Sequence, residues 1–217
     1  MLKGGVIALP IRVYHFTHRD NLELILARGF FECDRTCKAG SLTRRNIGYA
    51  NLKQRRLNTV VEVPPGGTVG DYVPFYFGTQ SPMLYAYEKG RVTGKPEDQD
   101  EIIYFATTAE RIVTQGYQFV FTDGHPVQEP KAFYNDLARI GEVDLPLMTQ
   151  KYWFDTDSDP DRARRRQAEF LVRERFAWEH VWVIGVRTQA MREWVEHAVR
   201  DTPYKPSCIV RPEWYYD

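Results

Sequence analysis

The chain has 217 residues, 43% hydrophobic and 14% aromatic, with 29 basic and 29 acidic side chains and a formal net charge of zero. That length suits one domain, residues 1–217, around a single sizeable core, and the balanced charge by itself points to no partner. Cys33, Cys37 and Cys208 are too few for a disulfide framework and lack the second pair of a zinc site, and no apolar run reaches membrane-span length, so a metal and a membrane are both excluded.

In chain order, Lys3 followed by Gly4 to Pro10 has too short an apolar portion, and no cleavage site, for a secretory signal, so the expected location is cytoplasmic. Ile11 to Thr17 reads as the first strand. Asp20 is placed to cap a helix whose Leu22, Ile25 and Leu26 share a face, with Gly29 to end it. Phe30 and Phe31 lead into a segment with seven basic residues (Arg35, Lys38, Arg44, Arg45, Lys53, Arg55, Arg56) and no acidic one. Such a segment in a neutral chain suits an anionic ligand or a nucleic-acid backbone, and equally a solvated loop. Ile47, Ala50 and Leu52 suggest a short helix inside it.

Tyr72 to Phe77 is a strand whose Pro74 argues for an edge or a bulge. Ser81-Pro82 starts a helix that Gly90 stops. A strand at Ile102–Phe105, a helix at Ala109–Val113 and a strand at Tyr117–Phe121 follow. Pro130 to Ile140 has helical spacing, with Phe133, Leu137 and Ile140 on one side. A long connection from Gly141 to Asp161 carries Tyr152 and Trp153. Gln167 to Val172 is a strand, Val181 to Val186 another, Gln189 to Val199 a helix and Cys208 to Val210 a last strand. Strands and helices mix without a βαβ rhythm, which predicts an α+β fold.

Phosphate-loop, dinucleotide-fingerprint, zinc-helix and nucleophile-elbow motifs are all absent. Asp155, Asp157 and Asp159 resemble a calcium loop, but Pro160 and Arg166 stand where that loop needs Gly and Glu, so the run reads as a solvated loop. Glu169 is the unusual residue. It alternates with Ala168, Phe170 and Val172, so its carboxylate is either solvated at an edge beside an Arg or held for chemistry. His15 and His18, with Thr17 between them, are the other polar groups on an apolar strand.

Four stretches occur in the order and spacing of one family: Tyr14-His15-Phe16-Thr17-His18; Asp71 to Phe77 with Ser81-Pro82-Met83; Phe119 to Asp123 with His125; and Gln167-Ala168-Glu169. On these motifs the chain resembles the DarT-type DNA ADP-ribosyltransferases, toxins of bacterial toxin–antitoxin pairs, over practically its whole length. The resemblance implies a split, mixed β-core whose cleft holds NAD as co-substrate, with helices around it. It implies transfer of ADP-ribose to a base in single-stranded DNA, thymine or guanine, and a macrodomain antitoxin partner that removes the mark.

By the same resemblance His15, Phe16 and Thr17 hold NAD, Arg56 is the essential Arg of the segment folded over it, and Glu169 is the catalytic carboxylate. Two further NAD contacts fall by spacing on Leu24 and Glu32. Cleaving the nicotinamide–ribose bond needs a carboxylate beside a ribose that becomes positive, and Glu169 suits that task. Arginines pair bidentately with pyrophosphate. A DNA strand needs basic tracking and stacking aromatics, for which Arg44, Arg45, Arg55, Arg165, Arg166, His125, Tyr152 and Trp153 are the candidates. An RNA or protein acceptor, or a non-catalytic nucleic-acid-binding module, are the alternative readings.

Overall fold

A computed structural model of the chain describes residues 10–40 and 45–217. The stretch from Lys3 to Leu9 and Arg44 lie outside the described residues. The first strand, β1 (Arg12–His18), leads through a 3-10 turn into α1 (Leu22–Arg28). Asp20 does not cap this helix: the His18 ring accepts the Asp20 N–H at 3.1 Å, and Asn21 stands at the N-cap with its side chain used elsewhere. Gly29 ends the helix at φ 75°, a left-handed conformation that glycine adopts without a Cβ clash.

Next come β2 (Phe30–Glu32), α2 (Asp34–Ala39) and α3 (Ala50–Asn58). In α3 the only buried residue is Arg56, so it has no apolar stripe and its length was not legible from periodicity. Beyond it lie β3 (Tyr72–Tyr76), α4 (Pro82–Glu88), β4 (Ile102–Thr108), α5 (Ala109–Thr114) and β5 (Phe119–Thr122). Ser81 caps α4 by accepting the Leu84 N–H at 3.2 Å. The stretch from Pro130 to Ile140 is not one helix. It forms β6 (Phe133–Tyr134), pairing with Phe121 and Thr122, then a 3-10 turn capped by Asp136. Burying Phe133 against β5 outweighs the local helical spacing.

The chain closes with α6 (Leu145–Met148), α7 (Arg162–Arg165), β7 (Glu169–Arg173), β8 (Arg175–Ala177), β9 (Val183–Val186), α8 (Gln189–Ala198) and β10 (Ser207–Val210). Among the described residues eight strands make one mixed sheet in the order β10-β9-β4-β1-β3-β7-β5-β6, parallel only between β9 and β10. β2 and β8 pair separately. This is the expected α+β architecture. One face carries the main core, with Phe75, Phe105, Phe170 and Val172 packed under α1, α5 and α8. The other carries two smaller cores, one with Tyr14, Phe16 and Leu84, the other with Tyr72, Val120 and Leu171.

Two placements differ from expectation. β3 lies inside the sheet, yet its paired register with β1 is Tyr14↔Tyr76 alone, so the two strands part beyond that point. Pro74 tolerates an interior strand because its missing N–H faces this gap, the side on which its carbonyl meets His15. Likewise β7 runs between β3 and β5, so Glu169 is an interior residue and not one at an edge.

Candidate active site

A cavity of about 330 Å³ opens where β1 and β3 part. β1 contributes His15, Phe16 and Thr17, β3 contributes Pro74 and Tyr76, and β7 contributes Glu169. α2 and α3 close one side with Asp34, Lys53 and Arg56, and α4 the other with Pro82, Met83 and Ala86.

Strand alternation sends Ala168, Phe170 and Val172 into the main core and turns Glu169 with Leu171 to the opposite face. Glu169 is only 3% exposed, and both its carboxylate oxygens accept from Nη1 of Arg56 at 2.9 Å. Its N–H donates to Oγ1 of Thr122 at 3.0 Å. Burial pushes the carboxyl above its ordinary range, against the pull of Arg56. On the guanidinium burial works the other way, but Glu169 and then Asp34 outweigh it and hold Arg56 protonated above its usual value. Asp34 Oδ2 lies 3.6 Å from Nε of Arg56, and Lys53 Nζ lies 3.6 Å from Asp34 Oδ1. Two carboxylates and two cations therefore balance in a site where an unpaired buried charge costs several kcal/mol. Nη2 of Arg56 is buried with no hydrogen-bond partner among the described residues, a donor held ready for an anionic or carbonyl oxygen.

His15 donates from Nδ1 to the Pro74 carbonyl at 2.8 Å, which sets its tautomer, and its ring meets Phe31 edge-on at 5.1 Å. Thr17 Oγ1 accepts from Asn21 Nδ2 at 2.7 Å, leaving its own O–H to donate. The same Asn21 amide bonds the Arg45 carbonyl at 3.0 Å and the Arg45 N–H at 2.8 Å, pinning the chain entering α3 to β1. Glu32 lines the cavity, held by Arg28 Nε at 2.8 Å. Leu24, half-buried on α1, lies outside the lining.

His125 sits in a turn fixed by Thr122 Oγ1 donating to the Gly124 carbonyl at 2.6 Å and by its own N–H on the Arg164 carbonyl at 2.9 Å. Burial first, then the charges of Arg56 and Arg55, hold its imidazole down to about 4. Its Nδ1 accepts the Val127 N–H at 3.2 Å, so the neutral ring carries its proton on Nε2, as a donor.

Most arginines expected at DNA are bound within the protein. Arg55 donates to the Val127 carbonyl, and Arg45 pairs with Glu97 at 3.2 Å while still lining the cavity. Arg165 pairs with Asp159 at 2.7 Å and with Asp144, and Arg164 bonds Asp161 at 2.7 Å and Asp123 at 3.0 Å. Asp159 and Asp161 are thus countercharges of the arginines beside them, while Asp155 and Asp157 stay exposed, as a solvated loop would have them. Arg166, at 1% exposure, is too deep to meet a phosphate and donates to the Thr79 carbonyl at 2.6 Å. Tyr152 is 66% exposed and Trp153 packs on Tyr85 at 5.8 Å, both outside the cavity lining. Among the described residues no group of His, Cys, Asp and Glu is arranged to hold a metal, and no helix is long and apolar enough to cross a membrane.

The sequence reading passed over Asn21, Asp34, Tyr76, Met83 and Arg91, all of which line the cavity. Tyr76 and Met83 stood within the motifs, and Asn21 three residues beyond the first of them. Asp34 and Arg91 gave no local signal, because only the fold of α2 and of the turn after α4 brings them to the cavity.

The family model for DarT, described as ssDNA thymidine ADP-ribosyltransferase, matches residues 14–216. A DNA ADP-ribosyl transferase from Thermus sp. (strain 2.9) is 35% identical over 209 residues, covering 95% of this chain and 97% of that protein. The structure of Thermus sp. 2.9 DarT in complex with ADP-ribosylated ssDNA superimposes with a TM-score of 0.89 at 34% identity, over 95% of this chain and 97% of that one. The same protein in complex with NAD+ gives 0.85 at 33% identity, over 96% of this chain and 99% of that one.

Proposed function

This chain belongs to the DarT family, and from that premise we propose that thymine is the acceptor base and that the cavity around Glu169 and Arg56 is where the transfer occurs. The protein is an NAD-dependent DNA ADP-ribosyltransferase: ADP-ribose passes from NAD to a base in single-stranded DNA. The observation that carries the site assignment is the buried Glu169–Arg56 pair with its unpartnered Nη2, opening on a cavity that also holds His15 and Thr17.

The donor set fits NAD. Arg56 Nη2 is a ready donor, Thr17 has an O–H to give, and His15 is held in one tautomer beside an aromatic wall. NAD supplies an activated ribose whose bond to nicotinamide breaks as the base nitrogen attaches. Glu169 keeps a negative charge where the ribose becomes positive, an interaction stronger at the transition state than before it. Arg56 stays protonated, so it does not take the proton of the base; its fixed charge stabilises the nitrogen as that proton passes to solvent and neutral nicotinamide departs. His125, neutral with Nε2–H, is a donor for a base carbonyl. Arg91 and Arg45 at the cavity, with the Tyr85–Trp153 pair along α4, suit the strand on either side of the target base. A macrodomain antitoxin and a cytoplasmic setting belong to the same proposal.

Labelled NAD incubated with the protein and oligonucleotides that each contain one kind of base tests it. Label should enter the thymine strand, and label confined to a guanine strand would overturn the acceptor assignment.

A further inference from the structure

Arg166 presents an uncompensated charge in the core. It is 1% exposed; among the described residues no carboxylate pairs with it and Nε and Nη1 have no hydrogen-bond partner, leaving Nη2 on the Thr79 carbonyl as its polar anchor. Burial first, with the Arg162 charge adding to it, drives its protonation equilibrium down against the opposing pull of Tyr216 and Tyr104. A buried guanidinium in this state lowers stability, and an apolar residue of similar size would serve packing better. Its retention therefore calls for a task other than stability.

The geometry around it indicates the task. Arg166 precedes Gln167, which lines the cavity, and leads into β7 with Glu169. The Thr79 carbonyl that it holds belongs to the turn leading to Pro82 and Met83, on the facing wall. The bond thus ties the two walls together. Gly78 lies against the same group: a Cβ there would stand 3.1 Å from Arg166 Nη1 and would collide with the Met148 carbonyl. The turn itself is strained, with Gln80 at φ 51°. The chain's end holds it from the other side. Gln80 Nε2 donates to the Tyr215 carbonyl at 2.5 Å, Gln80 N–H to the Trp214 carbonyl at 3.2 Å, and the Tyr216 hydroxyl to the Gln80 carbonyl. Gln99 anchors Tyr216 in turn, accepting its N–H at 2.9 Å and donating to its carbonyl at 3.2 Å.

We infer that Arg166 and the terminal Tyr215–Tyr216 segment are positioning elements that fix the Gly78–Ser81 turn and so set the spacing between the Gln167 and Met83 walls that receives the DNA strand. The inference rests on the reading of this cavity as the site of transfer. Neither element touches a reacting atom.

The test measures KM for single-stranded DNA, kcat, NAD affinity by calorimetry and melting temperature for the parent, Arg166→Met, Arg166→Lys and Tyr216→Phe. Arg166→Met should keep or raise the melting temperature and bind NAD within about twofold of the parent. It should raise the DNA KM by about tenfold or more. Tyr216→Phe, which frees the Gln80 carbonyl without burying a new group, should raise the DNA KM about threefold, and Arg166→Lys should recover part of the loss. If Arg166→Met does not fold, Tyr216→Phe alone decides. A DNA KM within twofold of the parent in the folded variants overturns the inference, as does a loss shared equally by NAD and DNA. A parent protein that labels no DNA would instead sink the transfer reading itself.

Discussion

Replacing Glu169 by Gln removes one charge from the cavity and almost no volume. At the 2.9 Å separation from Arg56, the direct attraction is about 6 kcal/mol with an effective dielectric constant of about 20. Most of it only offsets the cost of taking both ions out of water, which is why deleting one partner of such a pair costs about 3–5 kcal/mol. Gln keeps an oxygen for Nη1, and Asp34 stays 3.6 Å from the guanidinium, so the expected loss falls below that range, at about 2 kcal/mol. For a chain of this size that is a melting-temperature fall of about 4–8 °C. The effect on transfer should be larger, because in the role proposed for it the carboxylate acts on charge that develops only in the transition state. Losing such a group lowers kcat by about 10²–10³-fold, or about 3–4 kcal/mol. Initial rates with labelled NAD and saturating single-stranded DNA, beside calorimetric NAD titration and a thermal melt, separate the two effects. NAD affinity should change by less than about threefold. Turnover within threefold of the parent, with the melting temperature down as expected, would refute the reasoning and leave Glu169 as the countercharge of Arg56 alone.

Two neighbouring arginines should behave unlike each other. Arg56→Ala should abolish transfer with only a modest change in DNA affinity, while Arg55→Ala, losing its bond to the Val127 carbonyl, should retain transfer at a reduced rate; equal small losses with transfer kept in both would remove Arg56 from the chemistry. His125 gives a pH prediction. Its folded value, near 4, lies below the ordinary 6.5, so its contribution to stability is complete above pH 6.5 and is lost as pH falls toward 4, by on the order of 3 kcal/mol. Urea midpoints at pH 7 and pH 4.5 should differ less in His125→Asn than in the parent, and the parent's transfer rate should show no inflection from His125 between pH 8 and 5.5; an inflection near 6.5 that vanishes in the variant would contradict the buried neutral ring.

Much of the site was legible in the sequence because its polar residues stand in apolar strands, where a two-residue period leaves few places for them. Glu169 among Ala168, Phe170 and Val172, and His15 and Thr17 in β1, were singled out on that ground, and family motifs in order identified the fold and the reaction. Local chemistry also sufficed where a turn or cap depends on nearest neighbours, as at Gly29 and Ser81. Charge was different. The seven basic residues from Arg35 to Arg56, and Arg165 and Arg166, looked like surfaces for an anion, yet tertiary structure spends most of them internally, on Asp71, Glu97, Asp34, Asp159 and backbone carbonyls. Sequence shows how many charges a segment has but not which countercharges the fold brings within 4 Å. For the same reason only the folded chain shows that Asp34 shares Arg56 with Glu169, that Pro74 fits an interior strand because β1 turns away from it, and that Arg166 is buried without a carboxylate. Each depends on contacts between residues far apart in sequence, where periodicity carries no information and packing decides.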